Sequence, residues 1–309
     1  MKIAITLGDP AGIGPEIVLK TLPGFKNIQG IRIFGNREIL KRTARDLKLT
    51  KNYRSIKNTI QDCGTPIGFH YGAPDRRTGR AALESLIAAV KSRPDVLITP
   101  PVVKEVIRAA HPGFIGHTEY LAEYYRIHEF GMMGIYRDKR ILLLTTHLPL
   151  RSIFKYITPA RVRQKLSLLD WGLKKYFAVR RPQIAVGALN PHGFEFSRGE
   201  DEKILQGVLG ARHLGINACG PFPTDSLFNR DFDGFLAMYH DPVMTYLKAR
   251  PGGLNFTLGL PVIRLSPLYG AALDIAGRNI AQHIGLKAAI RTGIKLFQNS
   301  HRRETGRPD

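Results

Sequence analysis

Cysteine is nearly absent. Cys63 and Cys219 stand far apart with neither metal-ligand nor redox spacing, which excludes a disulfide framework and a thiolate metal site and leaves packing as their role. Long apolar runs are missing too. The opening MKIAITLGDP carries one lysine and only a short apolar run before Gly8 and Asp9. It reads as the first core strand of a cytoplasmic protein, not as a secretory signal or a membrane span. No internal repeat or low-complexity linker is present, and the G-x-G-x-x-G spacing of an ordinary dinucleotide fingerprint does not occur. Acidic residues are scarce, 25 against 46 lysines and arginines, for a net charge of +21. Alone, that excess would point to a nucleic-acid partner. Its cations are instead scattered through helix-length stretches such as REILKRTARDLK and RVRQKLSLLDWGLKK, with no nucleic-acid motif. A solvated basic surface on a protein that handles anionic metabolites accounts for it equally well.

What is present is a chain of 309 residues, 43% hydrophobic, enough for a sizeable core in two lobes. Strand-length apolar runs alternate with amphipathic helix-length stretches, the pattern of an α/β protein with a largely parallel sheet. Strands are predicted at 2–6, 31–34, 96–99, 141–145, 183–188, 234–239 and 261–265. Helices are predicted at 15–21, 37–47, 79–91, 118–125, 159–175, 200–213 and 282–297. The lobes are placed at 1–125 plus 267–309, a discontinuous first lobe, and at 126–266. Only the polar tail from Ser300 to Asp309 reads as disordered.

Three histidines follow apolar runs: His147 in ILLLTTHLPL, His192 in QIAVGALNPHGF and His240 in GFLAMYHDPVM. Buried parallel strands open onto the ligand crevice at their C-terminal ends, so three imidazoles in this context could meet at one site. A single histidine there is commonly just packed; the repeated context is what favours ligation. Three protein ligands with an open position describe a catalytic divalent-metal site. In GDPAGIGPEIVLK, Gly8, Gly12 and Gly14 form a strand-to-helix turn that could cradle an anion, with Pro15 and Glu16 suited to the first helical turn. In GHTEYLAEYY, Thr118 is a candidate N-cap, and His117 beside free helix amides suits a phosphate or carboxylate. Lys248, Asn255 and Arg264 form a further polar series in which Arg264 closes an apolar run, and such residues hold oxyanions and hydroxyls.

The segments GDPAGIGPEI, TPPVVK, GFIGHTEYLA, TTHLPL, LNPHGFEFSRGEDE, GPFPTDSLF, FLAMYHDP, NFTLGLPVIR and ALDIAG occur in this order nearly end to end. In wording and order the chain resembles the 4-hydroxythreonine-4-phosphate dehydrogenase family of vitamin B6 biosynthesis. The resemblance implies a homodimer of two-lobed α/β subunits, isocitrate/isopropylmalate dehydrogenase-like, with a cleft between lobes and the active site at the subunit interface. It implies a divalent metal (Zn, Co or Mg) on His147, His192 and His240, the last from the partner subunit. His117, Thr118, Lys248, Asn255 and Arg264 would bind the small phosphorylated substrate, and NAD or NADP would take up hydride. The metal would acidify the substrate's hydroxyl, as it does bound water. The keto product would lose CO2 to give 3-amino-2-oxopropyl phosphate. Lys104, Asp225 and Asp241 are candidate proton handlers or orienting groups.

The wording departs from the family's at three places. HDQ is here His240, Asp241 and Pro242, TAPINK is Thr99–Lys104, and the usual SVDHGTA is Ser266 to Ala272, SPLYGAA. The last stretch corresponds to a turn at the adenosine end of the cofactor, so Tyr269, Gly270 and Asp274 are the cofactor-side candidates, with Tyr269 able to stack on an adenine. Relatives that oxidise phosphorylated threonates, erythronates or dihydrodiols remain alternatives. The rival from another class is a non-catalytic basic protein that binds nucleic acid or a metabolite.

Overall fold

The computed structural model describes residues 1–25 and 29–304, which form two compact units. The first comprises Met1–Arg126 and Leu260–Phe297; the second comprises Ile127–Gly259 and the chain from Gln298 onward. Predicted boundaries had put residues 260–266 in the second lobe and the C-terminal residues in the first. The chain instead changes unit after Gly259, whose φ of +102° and approach to the Glu129 carbonyl leave no room for a side chain. Arg264 thus belongs to the first unit.

In the first unit, β1 (Ile3–Thr6), β2 (Ile31–Gly35), β3 (Ile60–Asp62), β4 (Val96–Ile98) and β11 (Ile263–Pro267) lie in the order β3-β2-β1-β4-β11. All these pairs are parallel. β1, β4 and β11 are buried along their whole length, as parallel strands covered on both faces must be. The helices are α1 (Gly14–Thr21), α2 (Arg37–Asp46), α3 (Thr50–Ile56), α4 (Arg76–Lys91), α5 (Lys104–Ala110), α6 (His117–Tyr124) and, as far as Phe297, α12 (Ile284–Glu304). Their starts are chemically marked: Asn36 accepts from the Glu38 and Ile39 amides, and Asp75 forms a capping box with Thr78. The predicted anion cradle at Gly8 to Gly14 is filled by protein. A Cβ on Gly8 (φ +73°) would meet the Pro101 carbonyl at 2.5 Å, and one on Gly12 would meet the Ala271 carbonyl at 2.8 Å. These glycines serve close backbone packing.

In the second unit, β5 (Gly131–Tyr136), β6 (Lys139–Leu143), β7 (Ile184–Gly187), β8 (Ala218–Phe222), β9 (Gly234–Ala237) and β10 (Leu254–Leu258) lie in the order β10-β5-β6-β9-β7-β8. β10/β5 and β5/β6 are antiparallel, while β6/β9, β9/β7 and β7/β8 are parallel. Five helices accompany them: α7 (Leu150–Ile153), α8 (Pro159–Phe177), α9 (Glu200–Arg212), α10 (Thr224–Leu227) and α11 (His240–Lys248). The predicted α/β class and largely parallel sheet hold. The sequence reading lacked β3, β5, β8 and β10, and the helices α3, α5, α7, α10 and α11. The predicted disorder from Ser300 is corrected, since α12 runs to Glu304 with Ser300 buried and the Asn299 side chain donating to the Tyr176 carbonyl at 2.8 Å. Residues 305–309 lie outside the described residues.

Candidate active site

The order β6-β9-β7 governs the second unit's chemistry. These three parallel neighbours end at Leu143, Ala237 and Gly187, and His147, His240 and His192 follow at four, three and five residues beyond. All three histidines therefore stand just beyond the C-terminal ends of adjacent parallel strands, His147 and His192 in the connecting segments and His240 as the first residue of α11. The His147 and His240 rings come within 5.7 Å, centroid to centroid. His240 Nδ1 lies 2.9 Å from Asp241 Oδ1, an orienting contact for the imidazole. His192 does not join that pair within the single chain, and among the described residues no three His, Cys, Asp or Glu side chains come close enough to hold one metal ion. The donor set itself, imidazoles without thiolate, suits a borderline divalent cation.

His192 is presented by a tight turn. The Gly193 N–H donates to the Asn190 carbonyl at 3.1 Å, with Pro191 and His192 between them, and His192 adopts φ +56°, ψ +10°. This is the left-handed conformation that the second central residue of a type II turn needs and that glycine ordinarily supplies. An imidazole held there carries on the order of 1 kcal/mol of backbone strain, a cost seen mainly at functional sites. The ring lines a cavity of about 520 Å³ with Asn190, Asp225, Tyr239, Pro242 and Tyr246 among its walls. Asp225 enters through α10, which is tied to the end of β7 by the Thr224 hydroxyl donating to the Ala188 carbonyl at 2.8 Å. Asp241 and Lys248 are exposed at the two ends of α11, and Asn255 on β10 keeps a buried Oδ1 without a hydrogen-bond partner.

The first unit holds a different chemistry. Arg264, on β11, is 4% exposed and donates from Nε and Nη2 to the Thr99 hydroxyl at 3.1 and 2.7 Å, with Nη1 at 3.5 Å from the Thr118 hydroxyl. Burial lowers its pKa to about 10, partly countered by Glu119, so it remains a cation at neutral pH. Half-buried His117 is held neutral: burial, then the charges of Arg264 and Lys104, push its pKa well below the ordinary value. Lys104 opens α5, and its Nζ lies 3.5 Å from where a Cβ on Gly116 would stand. Gly116 is the N-cap of α6 and provides no side-chain cap, which corrects the N-cap assigned to Thr118. Thr118 lies inside the helix with its hydroxyl turned to Arg264. The result is a cluster of two cations, a neutral imidazole and uncapped helix amides, complementary to a phosphate or carboxylate. Sequence reasoning missed Thr99 and Glu119; the position of Thr99 at the end of β4, beside β11, was the available signal.

The cofactor-side candidates follow β11. Gly270 and Asp274 are exposed. The Tyr269 ring packs against Gly285 at the start of α12, where a Cβ would lie 2.7 Å from the ring, and burial raises the pKa of its hydroxyl. Cys63 and Cys219 are both unpaired and half-buried, and burial pushes the Cys63 thiol up to about 11.

Residues 27–293 match the family model of the pyridoxal phosphate biosynthetic protein PdxA. The chain belongs to the PdxA family. This PdxA-family chain is 35% identical over 317 residues to the 4-hydroxythreonine-4-phosphate dehydrogenase of a Sulfurihydrogenibium species, covering 96% of this chain and 98% of that protein. The crystal structure of 4-hydroxythreonine-4-phosphate dehydrogenase from Klebsiella pneumoniae superposes with a TM-score of 0.81 at 27% identity, covering 96% and 99% of the two chains. A β-decarboxylating dehydrogenase from Thermococcus kodakarensis, 16% identical with a TM-score of 0.50, covers 94% of this chain and 81% of its own; that likeness is one of fold alone. The relatives' shared activity is that of an oxidoreductase acting on a CH–OH group.

Proposed function

We propose that this chain is a divalent-metal-dependent, NAD(P)-linked dehydrogenase acting in the cytoplasm. It oxidises the secondary alcohol of 4-hydroxythreonine 4-phosphate to 2-amino-3-oxo-4-phosphooxybutanoate, which loses CO2 to give 3-amino-2-oxopropyl phosphate for pyridoxal phosphate synthesis. The observation that carries this reading is the buried Arg264 held by Thr99 beside Thr118, neutral His117 and Lys104, in a chain whose relatives are named for a phosphorylated hydroxy acid.

In the first unit Arg264, His117 and the Thr118 hydroxyl bind an anionic end of the substrate. Because His117 is neutral, it offers one ring nitrogen as donor and the other as acceptor. In the second unit, Lys248 and Asn255 bind the remaining polar groups, the buried Oδ1 of Asn255 accepting from a substrate hydroxyl or ammonium. His147, His192 and His240, drawn from two copies of the chain, would hold a divalent ion, which would supply the acidity that the substrate's hydroxyl needs at neutral pH. Asp241 orients His240 through the 2.9 Å contact, and Asp225, beside His192 in the cavity wall, accepts the hydroxyl proton, with Lys104 as the alternative carrier. NAD or NADP would take up the hydride, and Tyr269, Gly270 and Asp274 would hold its adenosine end. A homodimer is part of this reading and has support in the apolar side chains exposed around two of the histidines: Leu148, Leu150 and Phe154 after His147, and Phe194 and Phe196 after His192.

The test is reduction of NAD+ or NADP+ by protein loaded with zinc, cobalt or magnesium. The assay offers 4-hydroxythreonine 4-phosphate beside phosphorylated threonate, phosphorylated erythronate and a dihydrodiol. Turnover of the first, lost in His192→Ala, is the expected result. Turnover of another substrate alone would reassign the activity within the family. No turnover of any, together with tight, salt-sensitive RNA binding, would replace the reading with the nucleic-acid rival.

A further inference from the structure

Asp201 is 0% exposed and has no cationic partner among the described ion pairs. It is the second residue of α9, after the left-handed Gly199, and its carboxylate is spent entirely on the turn that presents His192. Its Oδ1 accepts from the Leu189 N–H at 2.8 Å and its Oδ2 from the Asn190 Nδ2 at 2.8 Å, while the Asp201 N–H donates to the Ser197 hydroxyl at 3.1 Å. Asn190 is in turn the residue whose carbonyl closes the turn with Gly193. A second carboxylate, Glu200, accepts more weakly from the same Asn190 amide at 3.3 Å and from the Arg198 N–H at 2.8 Å. A non-glycine residue in the left-handed region persists only where its surroundings over-determine it. Here the over-determination comes from one buried carboxylate that grips the chain two and three residues before the strained histidine. A charge so deeply buried without a counter-charge is costly as a stabilising device.

We propose that Asp201 is the positioning carboxylate of the His192 turn, holding the imidazole in ligand geometry through Leu189 and Asn190. It acts through those residues and touches neither substrate nor cofactor. The inference rests on the reading of His192 as a metal ligand. Outer groups that orient a ligating histidine typically change metal affinity by roughly 10–100-fold when removed.

Cobalt(II) binding to the full chain, followed by its visible absorption and by calorimetric titration in the absence of substrate, tests this without an activity assay. Asp201→Asn sets an amide NH2 against the Asn190 amide NH2, and Asn190→Asp sets carboxylate against carboxylate. Each single variant is expected to weaken cobalt binding at least tenfold. The double variant Asn190→Asp/Asp201→Asn restores one donor facing one acceptor and is expected to recover most of the affinity, which a merely structural role for the charge would not produce. If Asp201→Asn does not fold, Asn190→Ala takes its place, since it cuts the Oδ2 bond and leaves Leu189 held; a tenfold loss is again expected. Affinity within twofold of the parent in Asp201→Asn or, should that not fold, in Asn190→Ala, or a double variant no better than the singles, overturns the proposal. His192→Ala in the same titration separates the two levels. Unchanged cobalt affinity there removes His192 as a ligand and the inference with it, whereas affinity lost in His192→Ala but kept in Asp201→Asn removes the inference alone.

Discussion

His117 and Arg264 show how two neighbouring side chains can be held in different charge states, one neutral and one cationic, by one environment. Burial disfavours charge on both, but guanidinium starts so high that it stays ionised, whereas imidazole is pushed neutral. The consequence for pH runs in one direction. An unfolded chain protonates its imidazole near 6.5 while folded His117 refuses the proton, so stability is intact above that value and falls as the medium is acidified through it. Melting curves at about pH 7.5 and about pH 5.5 should show a smaller acid-induced drop in His117→Gln than in the parent. Arg264 makes the complementary prediction. An anion bound beside it would offset part of its desolvation, so inorganic phosphate at a hundredfold excess over Kd should add about 2.7 kcal/mol of apparent stability, read as a raised melting temperature. In Arg264→Met that dependence on phosphate should vanish; retention of it would place the anion elsewhere. These residues were legible as chemistry, His117 because it opens a helix and Arg264 because it interrupts an apolar run, yet their partners Thr99 and Glu119 were not. Which hydroxyl meets a guanidinium depends on the pairing of β4 with β11, and no local pattern encodes that pairing.

Strands buried on both faces announce themselves as apolar runs, and β1, β2, β4, β6, β7, β9 and β11 were readable on that ground to within a few residues. The missed strands each carry a disguise. β8 contains Gly220 and Pro221, tolerable because it is an edge strand whose register against β7 shifts between Cys219 and Phe222. β5 contains two glycines, and at Gly134 a Cβ would stand 2.2 Å from a methyl of Leu247 on α11. α11 itself was hidden by Pro242, which a helix accepts in its first turn. Glycine in α4 has the same cause in sharper form. A Cβ at Gly79 would lie 2.2 Å from the Val106 carbonyl, backbone that cannot step aside as a side chain can. Gly79→Ala should therefore push α5 away from α4, cost about 1–3 kcal/mol in denaturant unfolding, and weaken substrate binding through Lys104, the first residue of α5. An unchanged unfolding midpoint would show that the two helices separate freely.

At the scale of the molecule, the net charge of +21 belongs to a solvated surface, and no described helix is long and apolar enough to cross a membrane. Among the exposed apolar side chains that break this polar surface, Leu148, Leu150, Phe154 and Tyr156 follow His147, and Phe194 and Phe196 follow His192. If they form the proposed interface between copies, Leu150→Asp and Phe196→Asp should each shift the sedimenting species toward the monomer and lose dehydrogenase activity together, while the far-ultraviolet spectrum stays unchanged. Active monomers would refute it. Sequence order adds one more consequence. β9 is the last of the three histidine-bearing strands to be made, yet it lies between the other two, so the gap between β6 and β7 stays open until residues beyond 240 have left the ribosome. The approach of His147 to His240 is consequently a late product of translation, completed only after both flanking strands have been made.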